Sequence, residues 1–236
     1  MYRCILFDMD GTLVNSYEGI FHSYEHTLNK LGTPFAGESF VKNAIGRTLP
    51  FVFEQLCGMD REQALHAIQI YRDYYAKQGQ YELSAYEGIE RTLRTLKQSG
   101  KFLGVATLKK EEFARAILKR LGLSSLFDCI CGMDEEDTLS KTELIRRCRQ
   151  ISSIPKEETI LVGDTISDAA GAHEAGISFL AVTYGFGFQQ EGELSKNQVK
   201  WIAQTPFQVA DFLCEKVSSR EKLSQEKPMP SVNFEN

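Results

Sequence analysis

The feature that most constrains the fold is an alternation that begins after Tyr86-Glu87-Gly88. Helical periodicity over 89–99, stopped by Gly100, gives way to a short apolar run at 102–106. The exchange then repeats: helix 110–121 and strand 127–131, helix 141–150 and strand 159–162, helix 168–175 and strand 178–183. Short apolar runs bounded by turn residues read as buried strands. Strand–helix units of this size predict an α/β fold, a parallel sheet with helices on both faces. Such sheets bind ligands beyond the carboxyl ends of their strands, so the residues at those ends decide the function.

A further strand at 3–7 opens the chain and runs straight into Asp8-Met9-Asp10-Gly11-Thr12. Positions two apart on a strand share a face, which sets Asp8 beside Asp10. Two carboxylates that close repel unless a cation or a shared proton relieves them. A polar turn capping the strand explains the same residues about as well. An EF-hand loop does not, because Leu13 and Gly19 stand where it needs Gly and Glu.

Between the first strand and the alternating region lies a block without a good strand, 16–83. Ile20, Phe21, Tyr24, Leu28 and Leu31 have helical spacing and stop at Gly32. Two short helices are expected over 38–57, with Pro50 in a first turn. A longer helix at 61–78 carries Leu65, Ile68, Tyr71 and Tyr75 as one stripe, read as core. The expected organisation is therefore a core of 1–15 and 84–215, an all-helical insertion at 16–83 and a loose polar tail at 216–236.

Composition narrows the partners. A net charge of −5 with no long basic run argues against nucleic acid or an anionic membrane as partner. No stretch has the length of a membrane span, and no signal-peptide pattern is expected at the N-terminus. The six cysteines are scattered without a CxxC, as in a cytoplasmic protein with reduced thiols. Cys129 and Cys131 share a strand face and read as core rather than as a metal pair. The sequence is compatible with a monomer or a homodimer.

The remaining strand ends carry Thr107, Gly132-Met133-Asp134 and Gly163-Asp164, followed by Asp168 near a helix start. Asp168 or Ser167 as a helix cap accounts for one of these groups but not for Asp164. Four aspartates converging on one sheet edge suit a hard divalent ion with oxygen ligands; Mg²⁺ keeps waters and accepts phosphate oxygens. A threonine at a strand end is most often a helix cap; beside the aspartates, the Thr107 hydroxyl and the Leu108 main-chain N–H could hold a phosphoryl oxygen. Lys141 at a helix start is against the usual charge preference, though a solvated surface lysine would look the same.

Asp8-x-Asp10-Gly11-Thr12, Thr107, Lys141, Gly163-Asp164 and Asp168, in that order, resemble the four motifs of the haloacid dehalogenase-like hydrolases. The resemblance covers roughly residues 1–214, and Val182-Thr183-Tyr184-Gly185-Phe186-Gly187 is similar to the phosphoglycolate phosphatase-like branch. It implies a Rossmann-like core with a helical cap inserted after the first motif. It implies a phosphatase in which Asp8 attacks phosphorus and forms an aspartyl-phosphate, while Asp10 protonates the leaving oxygen and then activates water. Asp8, the main-chain carbonyl of Asp10, Asp164 and Asp168 would hold Mg²⁺, and Thr107, Leu108 and Lys141 would neutralise the phosphoryl group. The implied substrate is a small phosphorylated metabolite resembling phosphoglycolate, a sugar phosphate or a nucleotide. Arg47, in Gly46-Arg47, resembles the cap's specificity segment, where it would meet a polar or anionic leaving group; an exposed arginine at a helix junction fits equally.

Leu108, Thr142 and Glu87 depart from the family pattern without removing a reacting group. A phosphomutase of the same fold is the chief alternative. It usually has His near Gly19-Ile20 and Val at Thr12, and this chain has neither. A binding or regulatory protein would be marked by loss of Asp8 or Asp10, and both are present. His22 and His26, one helical turn apart, lack an evident third metal ligand. Gly185-Phe186-Gly187 is too short for a dinucleotide fingerprint.

Overall fold

The computed structural model describes residues 1–188, 199 and 201–214; the expected tail at 216–236 and, of the expected core, residues 189–198, 200 and 215 lie outside them. Six strands form one parallel sheet: β1 (Cys4–Phe7), β4 (Phe102–Lys110), β5 (Cys129–Met133), β6 (Thr159–Gly163), β7 (Ser178–Val182) and β8 (Ile202–Ala203). Their order is β5-β4-β1-β6-β7-β8. β1 is central and pairs Phe7 with Val105 on one side and with Val162 on the other. The strand order reverses across β1, where open α/β sheets place their ligands.

Helices cover both faces. On one face lie α5 (Ile89–Gln98), α6 (Glu111–Arg120) and α9 (Pro206–Cys214), whose Leu93, Leu96, Ile117, Val209 and Leu213 pack on Ile5, Phe7, Leu103 and Val105. On the other lie α7 (Lys141–Ser152) and α8 (Ile166–Ala175), packed against Cys4, Leu6 and Leu161. The strand residues are buried on both faces, which is why they read as unbroken apolar runs. β8 and α9 were not expected; a two-residue strand carries too little periodicity to register.

Between residues 17 and 81 the chain is helical. It contains α1 (Tyr17–Lys30), α2 (Glu38–Ala44), a short α3 (Leu49–Phe51) continuing into a π-helical turn (Val52–Leu56), and α4 (Arg61–Lys77). Thr48 caps α3 with Pro50 in the first turn, and Asp60 forms a capping box with Gln63 at the start of α4. These helices bury their own cluster, including Tyr24, Leu28, Phe53, Ile68, Tyr71 and Tyr75. Leu65 departs from the expected stripe and is 59% exposed. At 100° per residue it sits about 100° around the helix from the centre of the buried face. At the neck of the insertion, β2 (Val14–Asn15) pairs antiparallel with β3 (Ser84–Ala85).

Candidate active site

Three neighbouring strands deliver the site. Beyond Phe7 the chain turns tightly about the Met9 carbonyl, which accepts from the N–H groups of Thr12, Leu13 and Val14. Asp8 stays anchored to the sheet through its N–H to Val162 O at 2.9 Å. Gly11 adopts φ +84°, and a Cβ there would collide with the Asp164 carboxylate. The Gly of the DxDGT turn thus serves both the backbone and the approach of Asp164.

Asp164 follows β6 and is fully buried. Its Oδ1 accepts from Thr12 Oγ1 at 3.1 Å, and its Oδ2 accepts from the N–H groups of Phe186 and Gly187 at 2.8 and 3.3 Å. A Cβ at Gly185 would also strike Asp164. Gly185-Phe186-Gly187 is therefore a cradle for a carboxylate, not a nucleotide turn.

The cap of α8 is Thr165, not Asp168 or Ser167 as the sequence suggested. Asp168 is the reciprocal partner at the third helical position. Its Oδ2 accepts from Thr165 N–H at 3.0 Å and Thr165 Oγ1 at 2.6 Å. Its Oδ1 is left for the site: it lies 2.7 Å from Lys141 Nζ as an ion pair, out of line for a hydrogen bond. One oxygen of Asp168 is structural and the other faces the chemistry.

Lys141 is 6% exposed, so it is not the solvated lysine that the sequence alone would equally allow. Nζ donates to Asp8 Oδ1 at 2.5 Å and to Ala106 O at 3.0 Å. A cation at a helix start costs about 0.3–1 kcal/mol against the helix dipole. The Ser140–Glu143 capping box offsets that by about 1 kcal/mol, and two carboxylates hold the ammonium. Burial works against its charged form, but Asp168 and Asp8 outweigh it and raise its pKa.

Asp8, Asp164 and Asp168 each bring a carboxylate oxygen within 4.8 Å of the others. Burial, opposed by Lys141 and reinforced by Asp168, pushes the Asp8 pKa up to about 7. Burial, then Asp168 and Asp8, push Asp164 well above its ordinary value. One lysine against three buried carboxylates leaves unrelieved repulsion, and the donors are all hard oxygens. The set fits a hard divalent cation.

The Asp10 carboxylate stands apart from this trio. Its Oδ1 accepts from Ser16 Oγ at 2.5 Å, and its Oδ2 lies 3.0 Å from Lys109 Nζ. Lys109 was not anticipated. β4 was expected to end at 106 but continues through a register shift to Lys110, carrying Lys109 into the site. Its ammonium sits 4.4 Å from the centre of the Tyr75 ring. Burial opposes the charge on Lys109, yet Asp10 and Tyr75 raise its pKa. The buried Tyr75 hydroxyl, which comes from the helical insertion, lacks a well-aligned hydrogen-bond partner. Thr107 is buried, and its Oγ1 accepts from Lys109 N–H at 3.2 Å.

Asp8, Asp10, Thr107, Leu108 and Lys109 line a cavity of about 110 Å³ that the insertion closes with Tyr24, Gly46, Arg47, Tyr71, Arg72 and Tyr75. Gly46 comes so close to Thr165 that a Cβ would meet its methyl at 2.9 Å. Arg72 pairs with Asp137 at 2.5 Å across the same boundary. Arg47 reaches the cavity wall from an exposed position, stacked 4.6 Å over Phe51 and donating to Asn43 O. The structure clusters Asp8, Asp164, Asp168 and Lys141; it places Asp10, Thr107 and Leu108 beside Asp8 along the cavity, with the Asp10 carboxylate outside the expected convergence of four, and Arg47 at the rim. It does not unite His22 and His26: His22 pairs with Glu82 at 2.6 Å, and His26 stacks on Tyr74.

The sequence profile of the haloacid dehalogenase-like hydrolases matches residues 5–182. The chain belongs to this family. Among its haloacid dehalogenase-like relatives, a 5'-nucleotidase of Pseudomonas aeruginosa is 35% identical over 80% of this chain and 86% of its own length. A phosphoglycolate phosphatase of Pseudomonas savastanoi pv. phaseolicola is 26% identical over 98% of this chain and 84% of its own. A predicted phosphatase from Clostridium acetobutylicum has a crystal structure that superposes with a TM-score of 0.85 at 34% identity, covering 90% of this chain and 98% of that one. Among the described residues, no helix is long and apolar enough to cross a membrane.

Proposed function

We propose that the protein is a Mg²⁺-dependent phosphatase that hydrolyses a small phosphomonoester through an aspartyl-phosphate on Asp8. The observation that carries this reading is the junction of two distinct carboxylate environments. Asp8 belongs to a crowded, cation-seeking trio with Lys141, whereas Asp10 faces the cavity in the hands of Ser16 and Lys109. Paired carboxyls with different surroundings suit different roles, nucleophile and acid–base. Phosphatases among the relatives support the same class.

In this reading Asp8, Asp164 and Asp168, with the Asp10 main-chain carbonyl, hold Mg²⁺. The ion would supply positive charge against the phosphoryl oxygens. Lys141 fixes Asp8 Oδ1, and the other carboxylate oxygen attacks phosphorus. The bond from phosphorus to the ester oxygen breaks, and Asp10 donates its proton to that leaving oxygen. Asp10 then takes a proton from water as the water attacks phosphorus, breaking the bond to Asp8 and releasing inorganic phosphate. Thr107 Oγ1 and the Leu108 N–H hold phosphoryl oxygens throughout. The helical insertion acts as a cap hinged at the β2–β3 neck. It presents Tyr75, Arg72 and Arg47 to the leaving group and excludes water when shut. A cavity of about 110 Å³ supports a small leaving group.

The test is phosphate release from an aryl phosphate and from a panel holding phosphoglycolate, sugar phosphates and nucleoside monophosphates, with and without Mg²⁺. Turnover that requires Mg²⁺ is expected. Folded protein that releases phosphate from none of them contradicts the proposal.

A further inference from the structure

Away from the carboxylates, the tightest set of metal-ligating side chains is made of thiols. Cys129 and Cys131 share one face of β5, and Cys148 reaches the same point from α7, so that each Sγ lies within 4.8 Å of the other two. Cys148 is fully buried and donates to Val105 O at 3.2 Å. From sequence the first two read as core, because nothing there shows that a helix aims a third sulfur at them. Cys4 belongs to the same apolar cluster but stands outside the tight group.

We propose that Cys129, Cys131 and Cys148 form a three-thiolate site for one soft monovalent cation, Cu(I). Sulfurs at about 2.3 Å from a metal at the centre of a triangle are about 4 Å apart, so the observed spacing needs only small side-chain adjustments. The donor set excludes hard ions, which take oxygen ligands. Structural Zn²⁺ takes four ligands, and among the described residues the tight group offers three. Three soft sulfurs in dry surroundings select Cu(I).

The thiols release their protons to solvent as the ion binds. The anionic charge left behind has cations near it. Arg115 and Arg147 act on Cys131, and Arg149, which acts on Cys4, buries an Nε without a hydrogen-bond partner. The site lies near the rim of the sheet, because β5 is an edge strand.

Small apolar packing explains buried cysteines too; the two accounts part on stoichiometric affinity. The full, reduced chain carrying Cys57→Ser and Cys214→Ser, which removes the two less buried thiols, is titrated anaerobically with Cu(I) held by a chromogenic chelator. The expected result is one equivalent withdrawn from the chelator, with ultraviolet thiolate-to-metal absorption and a raised melting temperature. Adding Cys148→Ser or Cys129→Ala weakens uptake at least tenfold, and adding Cys4→Ser leaves it unchanged. Circular dichroism establishes that each variant is folded; Cys129→Ala, at an edge position, guards against collapse of the core. No uptake by the folded protein, uptake unaltered by Cys129→Ala, or one equivalent of Zn²⁺ bound in preference to Cu(I) each overturns the proposal.

Discussion

Lys109 Nζ lies 3.0 Å from Asp10 Oδ2, a half-buried ion pair that joins the second sheet strand of the site to the turn after the first. It gives the acid–base carboxyl a fixed orientation and favours the carboxylate that forms once the proton has passed to the leaving oxygen. Lys109→Met keeps the bulk and removes the charge. General acid–base groups contribute about 10²–10⁴-fold, so loss of their positioning should lower kcat at least about tenfold while KM changes little. Steady-state kinetics on an aryl phosphate, with circular dichroism for the fold, check this. Unchanged kcat would show that Asp10 does not depend on Lys109.

The three buried carboxylates repel one another when no cation is bound. Asp164→Asn removes one charge and keeps acceptors for the Phe186 and Gly187 N–H groups. It should abolish turnover yet raise the melting temperature of the metal-free protein, because the carboxylate it replaces is buried and repelled by Asp168 and Asp8. The raised pKa of Asp164 sets the pH sense: its destabilisation is absent at low pH and grows as pH rises through the folded pKa. The gain from Asp164→Asn should therefore be larger at pH 8 than at pH 5. Calorimetry with chelator present decides it, and a lowered midpoint at pH 8 would contradict the account.

His22 and Glu82 tie the start of the insertion to its end, with Nδ1 and Oε2 2.6 Å apart. The hydrogen bond to Glu82 raises the His22 pKa, against the opposing effect of burial and with help from Glu25 and Glu18. A raised folded pKa stabilises below the unfolded value of about 6.5, and the stabilisation is lost as pH climbs through the folded value. The His22 ring resonances should titrate above 6.5 by NMR, and His22→Gln should remove that step from the stability–pH curve. A His22 pKa at or below 6.5 would refute the pairing.

Most of the candidate site was legible because its signals are local. Asp8, Asp164 and Thr107 each follow a short apolar run, so finding the strands located the residues. Lys141 could be placed in the site only through the ordered motif set, since a lysine at a helix start has no distinguishing neighbour pattern. Lys109 was missed for a different reason. Its position depends on β4 running on past Thr107 through a register shift and on Tyr75, 34 residues upstream, closing over it. Cys148 was missed likewise, because helical periodicity says that a face is buried but not what it meets. Leu65 failed because it sits about 100° around the helix from the centre of the buried face, where nothing among the described residues covers it.

In the proposed mechanism Asp8 carries the phosphoryl group. The deciding measurement mixes enzyme and Mg²⁺ with substrate labelled in its phosphoryl group and quenches with acid within one turnover. Protein-bound label that hydroxylamine releases, as for an acyl phosphate, is expected, with none in Asp8→Asn. Wild-type turnover with no bound label at any quench time, or equal labelling of Asp8→Asn, would contradict it.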